Sequence, residues 1–324
     1  MHHIESEIKI FAGSSCKSFV SRMCRYLNVE VGKSEAIKFS DGNTYVKIHE
    51  KVRDKDVYIV QSLGGPETND HFMELLFWID AFRRSSANTI TAIIPYFSYA
   101  KGDKKDEPRV SIRARVCADS LEAVGIDRII TMDLHTPQIQ GFFKKPVDHL
   151  IASPILCKYL KSKELTHSVI VSPDSGFAKN ATKYAAELNL PMVICDKVRS
   201  DHSESAKIVE VIGDVWGRDA IVVDDFTLSF GSLAECSRVL KLKGAKSVMA
   251  CVTHAPLTQK GVDSLEESEI TELVVTDTIE NALTLGHPKI RTISVAEYFA
   301  ESVRIINNRD SLSELFEKYG QYDF

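Results

Sequence analysis

A chain of 324 residues exceeds what one ordinary hydrophobic core fills, so two domains are expected. Its 44% apolar and 26% charged residues are those of a soluble globular protein, and a net charge of −5 excludes the concentrated basic surface of a nucleic-acid binder. Seven scattered cysteines with no CxxC pair fit free, buried thiols in a reducing compartment.

The first residues lack the apolar block of a signal peptide, and no stretch has the length and apolarity of a membrane span. A cytoplasmic protein is expected. Glu7 to Phe11 reads as a strand, followed by helical spacing through Phe19, Met23 and Leu27. Glu35 to Phe39 and Tyr45 to Ile48 read as strands joined by Ser40-Asp41-Gly42-Asn43, where Asp41-Gly42 is a hairpin signal. Val57 to Gln61 is a strong apolar strand, and Met73, Leu76, Phe77 and Ile79 mark the apolar side of the next helix. Thr91 to Pro95 is a buried strand. The polar run Lys101 to Arg109 is a solvated loop or a ligand-facing arm. Helix returns over Ile112 to Val124, and Arg128 to Met132 is a strand ending in Asp133-Leu134-His135. Thr136-Pro137 then reads as a helix cap with Pro at the first helical position.

The pattern resets around Lys144 to His149, so the domains are expected at 1–148 and 149–324. Strands follow at Ser168 to Val171 and Met192 to Cys195, with helix from Ala178 to Leu188. Lys197 and Arg199 point the same way in an extended chain. They stand at the root of Ser200 to Ser205, which has nothing apolar to pack and is expected to move. Such a loop closes over phosphates, or is only a surface hairpin. After a strand at Val209 to Gly213 comes Ile221-Val222-Val223, an apolar run ended by Asp224 and Asp225. A hydroxyl-bearing loop and a helix follow it. In an open α/β sheet this is where ligands bind, with helix N–H groups free for a phosphate. The plainer reading is a capping box, Ser232 as cap and Glu235 reaching back. Ser247 to Val252, Leu273 to Thr276 and Ile290 to Ile293 complete the strands. Ser294 to Ile306 reads as a capped amphipathic helix, and the tail with Leu315, Phe316 and Tyr319 is expected to dock, its last helix packing back on the N-terminal domain.

In order, these residues resemble the ribose-phosphate pyrophosphokinase family over nearly the whole chain. The resemblance rests on Phe11 to Ser15, Phe39 to Asn43, Ile94 to Ala100, Thr131 to Phe143 (TMDLHTPQIQGFF), Val171 to Gly176 and Lys197-Val198-Arg199. It implies an α/β fold of two tandem phosphoribosyltransferase-like domains, each a largely parallel sheet flanked by helices. The implied reaction transfers the pyrophosphoryl group of MgATP to the anomeric hydroxyl of ribose 5-phosphate, in a homo-oligomer built from dimers, often a hexamer, without nucleic acid or membrane. Residue by residue, His135 and Asp174 match the Mg2+ positions, Lys197 the catalytic lysine and Arg199 its companion cation. Asp224 and Asp225 match the acidic pair beneath the ribose, and Leu228, Ser229, Phe230, Gly231 and Ser232 occupy the 5-phosphate loop. Phe39, Asp41, Gly42 and Asn43 match the adenine-reading hairpin, and Lys101 and Gly102 match ATP contacts.

The chain departs from the family pattern at several of these positions. Leu228 replaces an Asp, Ser229-Phe230-Gly231-Ser232 replaces Thr-Gly-Gly-Thr, and Phe177 stands for a glycine. Lys101-Gly102 replaces Arg-Gln, and Asn43 a common Glu. An active pyrophosphokinase is the first expectation, because every charged group that phosphoryl chemistry needs is kept. The alternative is a weakened or inactive paralogue in a regulatory role. Backbone amides of Ser229 to Ser232 are expected to hold the phosphate, with Phe230 turned outward.

Overall fold

The computed structural model describes residues 8–198 and 207–319. Internal contacts divide them into a first unit, which runs to Ile151 and takes up Thr278–Glu280 and the segment from Val295 on, and a second unit of Ala152–Asp277 with Asn281–Ser294.

The first unit begins with β1 (Ile8–Ala12), α1 (Lys17–Leu27) and a hairpin of β2 (Ser34–Lys38) and β3 (Thr44–Ile48). It continues through β4 (Asp56–Val60), α2 (Thr68–Arg84), β5 (Thr89–Ile94), α3 (Arg113–Val124), β6 (Arg128–Met132) and β7 (Val147–Leu150). Five parallel strands lie in the order β1-β4-β5-β6-β7. The inner strands are buried after their first residue and mostly apolar, because a central parallel sheet is covered on both faces. A domain cut at 148 therefore fails, since it falls inside β7, where Asp148 stands opposite Ile130. Lys144-Lys145-Pro146 imitates a linker only because it turns the chain into this edge strand. Arg128 holds that strand through Asp148 at 2.6 Å.

The buried face of α2 also differs from expectation. Leu75, Trp78, Ile79 and Phe82 are buried, while Met73 is exposed. The misreading has a physical cause in Glu74, which is buried within this face and interrupts the apolar stripe. Its carboxylate accepts Trp78 Nε1–H at 3.0 Å and the Ser14 N–H at 2.9 Å. Trp78 stacks on Phe82 at 5.8 Å and Phe11 packs on the same ring at 4.7 Å. Each such fully buried ring contributes about 2–3 kcal/mol.

The second unit comprises α4 (Ser153–Leu160), β8 (Ser168–Ser172), α5 (Ala178–Leu188), β9 (Met192–Val198), β10 (Lys207–Ile212) and β11 (Asp219–Phe226). It ends with α6 (Gly231–Leu242), β12 (Ser247–His254), α7 (Gln259–Glu267), β13 (Ile270–Thr276) and β14 (Ile290–Ile293). Its sheet runs β10-β9-β8-β11-β12-β13-β14, antiparallel only at β9–β10. The chain thus builds outward in one direction from β8 and in the other from β11. Between those two strands is a topological switch point, the place where open α/β sheets form a ligand crevice.

The chain then returns to the first unit with α8 (Ala296–Asn307) and α9 (Ser313–Lys318). Phe299 of α8 meets Phe19 of α1 at 5.5 Å, and Tyr319 packs on Tyr298 at 4.5 Å. Ser294 does not cap α8; its hydroxyl donates to Asp277 instead. All seven cysteines are buried and outside any disulfide. No helix among the described residues is long and apolar enough to cross a membrane.

Candidate active site

At the switch point, β11 runs three residues beyond the apolar run that ends at Val223. Asp224 pairs with Val252 and Phe226 with His254, so the acidic pair lies within the strand rather than ending it. Each carboxylate accepts the next residue's N–H: Asp225 N to Asp224 Oδ1 and Phe226 N to Asp225 Oδ1, both 2.9 Å. Burial pushes the Asp224 carboxyl well above the usual range, and the charges of Asp225 and then Asp174 push it the same way. Asp224 thus feels two further carboxylates, at the carboxyl ends of β11 and β8. Such a group is stabilised by a cation or by hydroxyl donors. Asp174 Oδ1 accepts the Phe177 N–H at 3.1 Å just before α5, and the Ser172 hydroxyl donates to the Asp174 carbonyl at 2.7 Å. Phe177 has φ −91°, so no glycine is required there.

The loop after β11 is braced from behind. The Thr227 N–H donates to the His254 carbonyl at 2.9 Å. The Leu228 carbonyl accepts the Thr258 N–H at 3.4 Å, and a Cβ on Gly261 would lie 2.5 Å from that same oxygen. The start of α7 therefore lies directly against the loop backbone. Outward, Ser229, Gly231 and Ser232 are exposed, as is the Leu228 side chain.

Phe230 is not turned outward: it is 1% exposed and belongs to the second unit's core. It achieves this at φ +62°. A left-handed backbone costs about 1–2 kcal/mol for such a residue, and burial of the ring offsets it by about 2–3 kcal/mol. The same conformation starts α6 at Gly231, so Ser232 lies in the first turn and is no cap. Glu235 pairs with Arg238 at 2.7 Å rather than reaching back. The first-turn N–H groups of α6 lack helical acceptors and are donors for an anion. Among the described residues, a Cβ at Gly231 would meet only Ser229 Oγ, at 3.8 Å, so they leave the space before these amides open.

In the first unit, the positions assigned to nucleotide lie on additions to the sheet. Phe39, Asp41, Gly42 and Asn43 form the exposed tip of the β2–β3 hairpin. Gly42 has φ +88°, and Asp41 Oδ1 accepts the Asn43 N–H at 2.9 Å. Lys38, the last residue of β2 beside that tip, reaches Asp70 of α2 at 2.5 Å. Lys101 and Gly102 end a short 3-10 turn, Ser98–Gly102. Gly102 is buried against Arg113, whose Nε would lie 2.5 Å from an added Cβ. His135 is exposed after β6, two residues beyond Asp133 at φ +38°. Thr136 does not cap the 3-10 helix Pro137–Phe142; its hydroxyl donates to Asp103 Oδ2 at 2.7 Å. No three His, Cys, Asp or Glu side chains cluster as metal ligands among the described residues. Lys197 lies in β9 opposite Ile208, while Arg199 and 200–205 fall outside the described residues.

Comparison with known proteins decides between the readings of this arrangement. Residues 8–125 match the N-terminal domain of ribose phosphate pyrophosphokinase, and 201–317 the phosphoribosyl synthetase-associated domain. A ribose-phosphate pyrophosphokinase of Campylobacter jejuni is 46% identical over 308 residues, covering 95% of this chain and 98% of that protein. The chain belongs to the ribose-phosphate pyrophosphokinase family. Ribose-phosphate pyrophosphokinase A of Dictyostelium discoideum is 43% identical, with 95% and 98% coverage. The crystal structure of phosphoribosylpyrophosphate synthetase from Mycobacterium smegmatis superposes with a TM-score of 0.88 at 35% identity, over 94% of this chain and all of that one.

Within this pyrophosphokinase fold, some supporting residues escaped sequence reasoning. Thr258 caps α7 by accepting the Gly261 N–H at 3.2 Å, a signal present in Thr258-Gln259-Lys260-Gly261. Nothing local to Gly261 signals its contact with Leu228. Asp103 and Thr136, 33 residues apart, carry no joint signal either.

Proposed function

We propose a division of roles for the reaction of this family. The chain transfers the pyrophosphoryl group of ATP to the anomeric hydroxyl of ribose 5-phosphate, giving phosphoribosyl pyrophosphate and AMP. The anomeric oxygen attacks the β-phosphorus, the bond from that phosphorus to the α–β bridging oxygen breaks, and AMP leaves with that oxygen. Such transfers depend chiefly on positioning and charge neutralisation.

The 5-phosphate is held by amides of the Ser229–Ser232 segment, with Leu228 at its rim. Asp224 and Asp225 accept from the ribose hydroxyls. The observation that carries this reading is the open, outward-facing start of α6 beside that carboxylate pair, with Phe230 withdrawn into the core. An aromatic ring therefore does not fill the loop, and the replacement of a glycine by Phe230 is no argument for an inactive paralogue. Phe39, Asp41, Gly42 and Asn43 contact adenine, and Lys101 and Gly102 the rest of the nucleotide. Lys197 stabilises charge building on the transferred group, and Arg199 is assigned as its companion cation.

Enzymes of this family use a divalent metal, and Mg2+ is the ion proposed here. His135 in the first unit and Asp174 in the second are each proposed as a metal position. An exposed imidazole and a half-buried carboxylate each suit a cation that takes its remaining ligands from water and phosphate oxygens. When bound, it neutralises phosphate charge. A cytoplasmic homo-oligomer assembled from dimers, a hexamer in full form, completes the proposal. It is supported by a half-exposed Phe39 on a projecting hairpin, and light scattering tests it. The reaction itself is tested by 31P NMR of ATP, Mg2+ and protein. AMP and phosphoribosyl pyrophosphate should grow in equal amounts only when ribose 5-phosphate is added. AMP formation indifferent to the sugar phosphate would reject the assignment.

A further inference from the structure

The loop carrying His135 and the turn carrying Lys101 and Gly102 come from different crossovers of the first unit's sheet, after β6 and β5. A side-chain hydrogen bond joins them. Thr136 Oγ1, next to His135, donates to Asp103 Oδ2, next to Gly102, at 2.7 Å. Both residues are partly buried, so water competes only in part for the bond. On its other side the turn is fixed by the close packing of Gly102 under Arg113. Thr136 would ordinarily cap the 3-10 helix that follows it, yet its hydroxyl is committed to Asp103 instead.

We propose that Thr136 and Asp103 are positioning residues, forming a strap that presets the His135 imidazole relative to the Lys101-Gly102 backbone before a metal–nucleoside triphosphate arrives. This rests on the reading of those positions as metal and nucleotide contacts. The strap also occupies the Asp103 carboxylate. Released, that anion would be free to swing toward the incoming phosphates and oppose them. Neither residue touches the reacting atoms; both act through their sequence neighbours.

The test is calorimetric binding of Mn2+ with α,β-methylene-ATP to the full-length protein, whose bridging carbon prevents turnover. Thr136→Val should weaken binding about ten-fold, the scale expected when a ligating group is misplaced by a fraction of an ångström. Thr136→Ser, which keeps the donor, should restore it. Asp103→Ala, which removes the acceptor, should weaken binding less than Thr136→Val, because it leaves no stray anion. In the Thr136→Val/Asp103→Ala double variant the effects should not add, because both remove one bond. Ribose 5-phosphate affinity and melting temperature should stay near wild type in all of them. Wild-type affinity in Thr136→Val, or failure of Thr136→Ser to restore it, overturns the strap alone. A wild-type protein that binds no metal–nucleotide overturns the reading of the site and the strap with it. If Thr136→Val does not fold, Asp103→Ala decides: unchanged metal–nucleotide affinity overturns the strap.

Discussion

Under the proposed assignment, the two sheets hold a phosphorylated ligand in different ways. In the second unit the strand order turns between β8 and β11, so three carboxylates and the start of α6 are delivered to one crevice by topology. In the first unit the order β1-β4-β5-β6-β7 runs one way, and no such turn exists among its described strands. There the proposed nucleotide positions fall on a hairpin, a 3-10 turn and a loop, the last two joined by a hydrogen bond. A seat made of main chain depends on what braces it from behind, here Phe230 and Gly261. A seat made of side chains on projections depends on those side chains themselves. Substitutions should therefore couple stability to binding in the second unit and separate them in the first.

The largest expected effect breaks chemistry rather than either seat. Lys197→Ala should lower kcat by about 10²–10³-fold, the scale for losing one transition-state charge stabiliser, with little change in KM. Steady-state kinetics with saturating MgATP reads this directly, and wild-type turnover would remove the role assigned to the lysine. Next, Phe230→Ala should cost about 3–5 kcal/mol of stability in urea unfolding, since it empties a core site while keeping a left-handed backbone. A small loss would mean that the loop is not braced by that ring. Phe39→Ala should lose about 1–3 kcal/mol of ATP binding, the range for one base–aromatic contact, with an unchanged melting temperature. An equal loss of stability would erase the contrast between the units. The smallest effect is the most selective. Gly231→Ala should fold normally, because its Cβ has room, yet bind ribose 5-phosphate about ten-fold more weakly by covering amides that meet a charged group.

Much of this architecture was legible in the residues. The apolar run, acidic pair, hydroxyl loop and helix of 221–240 form one unit at the switch point, and the Asp41-Gly42 hairpin forms between the strands that flank it. What escaped reading involved groups with a choice of partners. Thr136 and Ser294 precede helices and look like caps, but each hydroxyl found a distant carboxylate, Asp103 and Asp277. Ser232 missed the cap position because Phe230 turned left-handed, a conformation sequence does not announce for an aromatic residue. Glu74 hid the buried face of α2 because its partners, Ser14 and Trp78, meet it only in the folded chain.

A crystal of the protein grown with ribose 5-phosphate tests the main-chain seat most directly. The phosphate should lie within hydrogen-bond distance of at least two N–H groups between Ser229 and Ser232, with the ribose hydroxyls toward Asp224 and Asp225 and Phe230 still in the core. A phosphate held elsewhere by side chains, or a Phe230 ring swung into the crevice, would contradict it.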